Sequence, residues 1–170
     1  MQKHFKTMTN FRFFIAIILA SQIYFQTYAQ EMPPRPVSAS IVQSLSFGAF
    51  SNGMSGGNVT ITPFGMRSAT GTIILLDMGY LYFPAIFRVG GNPGTILHLL
   101  NGPNEILTGS NGGTLLLQIG ESNAGDPLII NVAPPGTMEI RIGGKLIVGS
   151  PMANPPGVYN GSFTVIFVQE

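Results

Sequence analysis

Outside the first 29 residues, this 170-residue chain has one histidine, His98, and seven carboxylates. A hydrolase or transferase needs a nucleophile with a base in reach, so His98 would have to supply that base. It sits in TILHLL (95–100), alternating with Leu97 and Leu99, and therefore faces away from that pair. No Gly-x-Ser-x-Gly elbow accompanies it. The pattern favours a histidine on the outer or partly covered face of a strand over a catalytic one. Paired acids a few ångströms apart would suit glycoside hydrolysis. Glu31, Asp77, Glu105, Glu121, Asp126, Glu139 and Glu170 instead fall in expected turns or near strand ends, as solvating residues do.

The remaining chemistry-bearing patterns are weak. The loop Glu121 to Asp126 offers oxygen ligands, but its spacing is neither that of an EF-hand nor that of a Gly-Gly-x-Gly-x-Asp repeat. The reading therefore expects no metal and no cofactor. The Gly-rich stretch Val89 to Gly94 lacks the Gly-Lys-Ser/Thr ending or following helix of a phosphate cradle and reads as a hairpin turn. Tryptophan is absent, so an aromatic platform for sugars would fall to Tyr80, Tyr82 and Phe83, for which core or edge packing is the stronger reading. Asn58 and Asn160 begin glycosylation-like triplets too short to carry weight.

Residues 1–29 have the order of a secretory signal peptide: Lys3, Lys6 and Arg12, an apolar block from Phe13 to Ala20, then a polar stretch closing on Thr27, Tyr28 and Ala29. The block is far shorter than the roughly 20 residues of a membrane-spanning helix. Cleavage is expected after Ala29, leaving Gln30 first. The remainder would hold five Lys/Arg against seven Asp/Glu, a net charge of −2, with the basic residues too scattered for a nucleic-acid-binding face. There is no cysteine. That excludes a lipid-anchoring cysteine, a thiolate metal site and a cysteine nucleophile, and leaves stability to packing.

Whatever these residues do must be positioned by strands. Gln30 to Pro36 is an extended proline-rich leader, and residues 37–170 read as a single domain of short apolar runs separated by Gly, Pro and Asn clusters. Strands are expected over 37–45, 58–62, 70–76, 85–89, 95–100, 105–108, 114–119, 128–132, 137–148 (with a break at Gly143 and Gly144 left open) and 159–169. Nine or ten short strands fit an immunoglobulin-like or pilin-like two-sheet β-sandwich. Glycine pairs at 56–57, 112–113 and 143–144 each precede an apolar run, at unequal spacings that speak against a repeat array.

Several stretches carry a resemblance in order: LSFGAF (45–50), GNVTITP (57–63) with GMRSATG (65–71), GNPG (91–94), IGGKLIV (142–148) and PGVYNGSFTV (156–165). Together they resemble the domain-of-unknown-function 4402 family of small exported bacterial proteins over most of residues 37–169. The closing Gly-x-Tyr-x-Gly-x-Phe-x-Val is also remotely similar to the last strand of spore-coat-U-type and pilus-subunit domains. The resemblance implies a sandwich, export in a Gram-negative bacterium and no catalytic residue to carry over. The chain departs from pilus subunits in its seven-residue leader, which holds Pro33, Pro34 and Pro36, and in having no cysteine pair.

The expectation is a non-enzymatic exported structural or surface protein of the periplasm, cell surface or extracellular space, with protein subunits or envelope components as partners. The alternative is a small binding module for a glycan or an envelope protein. Tyr80, Tyr82 and Phe83 are the candidate interaction patch, together with Ile166 and Val168, which lie on the less apolar face of the last strand and lack an obvious cover.

Overall fold

A computed structural model describes residues 36–170; the expected signal segment, the Ala29/Gln30 cleavage point and all of the leader but Pro36 lie outside the described residues. The described chain forms thirteen strands and no helix: β1 (Ser38–Gln43), β2 (Ser46–Phe47), β3 (Phe50–Ile61), β4 (Arg67–Leu75), β5 (Tyr82–Phe83), β6 (Ala85–Gly90), β7 (Ile96–Asn101), β8 (Glu105–Gly109), β9 (Thr114–Ser122), β10 (Leu128–Ile129), β11 (Met138–Val148), β12 (Tyr159–Asn160) and β13 (Val165–Gln169). The all-β sandwich expectation holds. The large sheet runs β1-β6-β11-β9-β8-β12, with β3 and β4 joined to it through β11; a second sheet runs β10-β7-β13, and β2 pairs with β5.

β11 organises the fold. Along one edge its first half pairs with β6 (Ile140 opposite Phe87) and its second half with β3 (Leu146 opposite Val59); β9 lies along the other edge. The changeover falls at Gly143 and Gly144, which do not break the strand. A Cβ on Gly143 would meet the Ile61 carbonyl oxygen at 2.4 Å, and one on Gly144 would meet the Leu45 side chain at 2.6 Å. These glycines admit close neighbours rather than make a turn. Gly56 and Gly57 likewise lie inside β3, at a register shift against β4. There Gly56 and Gly71 take left-handed φ values of 65° and 72°, and a Cβ on Gly71 would stand 2.4 Å from the Gly56 carbonyl oxygen. Of the three glycine pairs, only 112–113 launches a strand.

Other expected strands change as well: the run over 58–62 is the end of a strand that starts at Phe50, and the short β2 and β5 fall outside the expected strands. The run over 128–132 is a strand only at Leu128–Ile129, and 159–169 divides into β12 and β13. At that division the chain crosses between sheets: Tyr159 pairs with Gly109 of β8, whereas Phe167 pairs with Leu99 of β7. Gly161 passes so close to β8 that a Cβ would lie 2.6 Å from the Leu107 side chain.

The core has two clusters. One gathers Val59, Ile61, Leu115, Leu117, Leu146 and Val148 with Phe47 and Leu107; the other gathers Ala85, Phe87, Val89, Leu97, Leu128, Ile130, Ile140 and Ile142. Leu45, Ile119 and Phe163 pack against both, so the clusters are continuous. One flank stays open. Ile41 of β1 is paired with Phe87 and so shares its inward face. Yet Phe87 is buried at 7% exposure while Ile41 is 70% exposed. Phe167 of β13 meets Phe87 edge to face, 5.9 Å between ring centres, at the border of this open flank.

Candidate interaction surfaces

The outer face of β10-β7-β13 is built by alternation. Leu97 and Leu99 point into the core, so Ile96, His98 and Leu100 point out; Ile166 is paired with Leu100, Val168 with His98, and Ile129 with Ile96. Ile166 and Val168 are 49% and 41% exposed, and Leu100 and Ile129 are exposed beside them. This sheet therefore carries apolar side chains on both faces, and only one face has a core behind it. The structure brings Ile166 and Val168 together with these β7 and β10 residues and leaves them uncovered.

His98 ties the three strands across this face. Its Nδ1 lies 2.8 Å from Asp126 Oδ1, just before β10, and its Nε2 lies 3.1 Å from Glu170 Oε1, just after β13. A neutral imidazole has one N–H; bonding both carboxylates takes the doubly protonated ring. The Glu170 contact, then the Asp126 contact, accordingly raise the His98 pKa above its ordinary value. A ring with both nitrogens occupied is a cross-strand tie and not a free base. The two carboxylates flank opposite nitrogens, and among the described residues no three His, Asp or Glu side chains gather where a metal could sit. In the loop considered for calcium, Asn123 Oδ1 accepts the Arg141 backbone N–H at 2.7 Å and the Ser122 hydroxyl donates to the Ala124 carbonyl at 2.6 Å.

The second surface lies around the loop between β4 and β5. Tyr80 is 67% exposed, and Leu81, Tyr82 and Met78 are exposed with it; Phe83 is half-buried and paired with Ser46. Arg67, at the start of β4, props this loop. Its guanidinium donates to the carbonyls of Ala49 and Leu76, and its Cζ stands 5.0 Å from the centre of the Tyr82 ring. Burial lowers the Arg67 pKa, and its Nε has no hydrogen-bond partner. The Ser46 hydroxyl donates to the Leu81 carbonyl at 2.8 Å, holding the loop from the other side. Tyr80, Tyr82 and Phe83 therefore lie on the β4–β5 loop and on β5, which pairs with β2, whereas Ile166 and Val168 lie on β13 of the β10-β7-β13 sheet.

Sequence reasoning did not single out Arg67 or Asn154. Asn154 is the one buried polar residue among those described. It accepts the Gly149 N–H, donates to the Thr114 carbonyl at 2.6 Å, and through its own carbonyl receives Asn52 Nδ2 at 3.3 Å. Its only sequence signal is the Pro-rich, turn-forming stretch SPMANPPG (150–157), which marks a loop but not a buried latch.

The chain belongs to the family described as Domain of unknown function (DUF4402), whose model matches residues 37–168. No curated protein and no solved structure matches it.

Proposed function

We propose that this member of the DUF4402 family is a non-enzymatic structural or surface protein, exported by a Gram-negative bacterium, that acts through protein–protein assembly in the cell envelope or outside the cell. The observation that carries this reading is the exposed apolar strip of Leu100, Ile166 and Val168 on the outer face of β7 and β13, with Ile129 exposed on β10 across the His98 tie. A face of this kind rimmed by polar residues marks interaction sites more often than chance exposure. The signal-like N-terminus and the remote likeness of the last strand to spore-coat-U-type and pilus-subunit domains point the same way. His98, the one histidine outside the N-terminal segment, is engaged by two carboxylates, which weighs against an acid–base site.

The test is cross-linking in the native host with an affinity-tagged full-length chain. The expected result is recovery from the envelope or medium, cross-linked to copies of itself or to envelope proteins. A chain retained in the cytoplasm, or exported and never cross-linked, overturns the reading.

The Tyr80 loop favours a second reading, a glycan- or envelope-binding module, because an exposed tyrosine beside a propped arginine and tyrosine offers both a stacking surface and donors. A glycan array tests it, with signal expected for the wild type and lost in Tyr80→Ala. An array without signal, or one unchanged by that substitution, removes it.

A further inference from the structure

The backbone of β13 has one satisfied edge and one free edge. The Gly102 N–H donates to the Thr164 carbonyl at 2.9 Å and the Glu170 N–H donates to the Ile96 carbonyl at 3.2 Å. By antiparallel alternation the even-numbered residues of β13 turn their backbone groups to β7. Val165, Phe167 and Gln169 turn theirs outward, where no described strand pairs with them.

The other described edges are blunted, as natural sheets blunt theirs. β1 is bulged between Ile41 and Gln43. β4 begins with Arg67 and is interrupted by left-handed Gly71. β2, β5, β10 and β12 are two residues long. β13 alone among the described edge strands runs five residues, VIFVQ, without charge, proline, glycine or bulge. Its inward row is also incomplete: Val165 and Phe167 are only half-buried, beside the flank that leaves Ile41 exposed.

We propose that a second copy of this chain pairs with the free edge of β13 through its own β13, antiparallel about a two-fold axis at Phe167. The proposal rests on the assembly reading above and supplies its interface. The strand is self-complementary in this register. Phe167 faces Phe167 of the second copy, Val165 faces Gln169, Ile166 faces Val168, and Thr164 faces Glu170. No charge meets a like charge, and each terminal carboxylate meets a hydroxyl. The two small sheets become one six-stranded sheet, and the Ile166 and Val168 pairs join the two exposed strips into one. The described residues carry four Lys/Arg against six Asp/Glu, so net repulsion between copies is small.

Sedimentation of the full-length chain, purified as its host processes it, tests this in three forms. The wild type should dimerise with rising concentration. I166K/V168K sets lysine against lysine twice across the axis and should weaken the dimer roughly tenfold or more. I166K/V168E sets lysine against glutamate twice and should recover dimerisation, now weakened by added salt. The two variants have equal numbers of changes at the same sites, so a folding defect would strike both. Dimerisation unaffected in I166K/V168K, or lost in both double variants while their far-ultraviolet circular dichroism matches the wild type, overturns the β13 register. A wild type that sediments as a monomer yet cross-links in cells overturns this interface and leaves the assembly reading standing; absence of any cross-link overturns that reading itself.

Discussion

His98 shows how much a single surface residue can depend on partners far away in sequence. Its strand position is readable from TILHLL, because period-two alternation puts it opposite Leu97 and Leu99. Its partners are not readable, since Asp126 and Glu170 lie 28 and 72 residues away and meet it only when three strands align. The folded protein holds the imidazole proton more tightly than the unfolded chain does. The resulting stabilisation is full below the ordinary imidazole value of 6.5 and is lost as pH rises through the raised folded value. The melting temperature should therefore fall as pH rises from about 6 to 8. His98→Gln should flatten that dependence; an equally steep variant would remove His98 as its source. Asn154 makes the contrasting case of a buried residue. Asn154→Leu would strand the Thr114 carbonyl and the Gly149 N–H without partners. Chemical denaturation should register a loss of about 1–3 kcal/mol, the desolvation cost of such orphans.

At the scale of elements, the apolar runs locate most strands, and their bounds fail where glycine has a purpose other than turning. Gly143 and Gly144 leave a break open in the sequence and are the seam at which β11 exchanges β6 for β3. Sequence alone cannot tell a glycine that bends the chain from one that lets another backbone approach, because both need only the missing Cβ. Gly143→Ala separates the two. A Cβ there meets backbone of Ile61 and the ring of Pro63, neither of which swings away, so the variant should lose about 1–3 kcal/mol in a denaturant titration. A neutral result would mean the seam relaxes. The last eight residues were legible as a closing strand, since Phe163, Val165 and Phe167 keep their inward alternation through the crossover. Deleting residues 163–170 removes Phe163 from between the two clusters and bares β7, and circular dichroism should show no folded β structure. A truncated chain that retains a native β spectrum would show that β7 and β10 need no cover.

For the whole molecule, two core clusters could mean two folding units. The shared strand β11 and the residues Leu45, Ile119 and Phe163, which touch both, argue for one. Tyrosine fluorescence and far-ultraviolet circular dichroism should therefore trace a single coincident unfolding transition. Two separated transitions would show that the clusters fold apart. The sandwich class was legible from the density of turn signals, but its open flank was not. Ile41 shares a face with buried Phe87 and yet is 70% exposed, a difference of tertiary packing that no local residue pattern records.

The central place of β11 has a mechanical consequence. Tension entering at either end of the described chain is taken up first by β1 or β13, each held by one neighbour. β11 has partners along both edges and lies behind them. A protein stretched between its ends would shed its outer strands in turn and lengthen while its middle stays whole, yielding at the rim before the centre gives way.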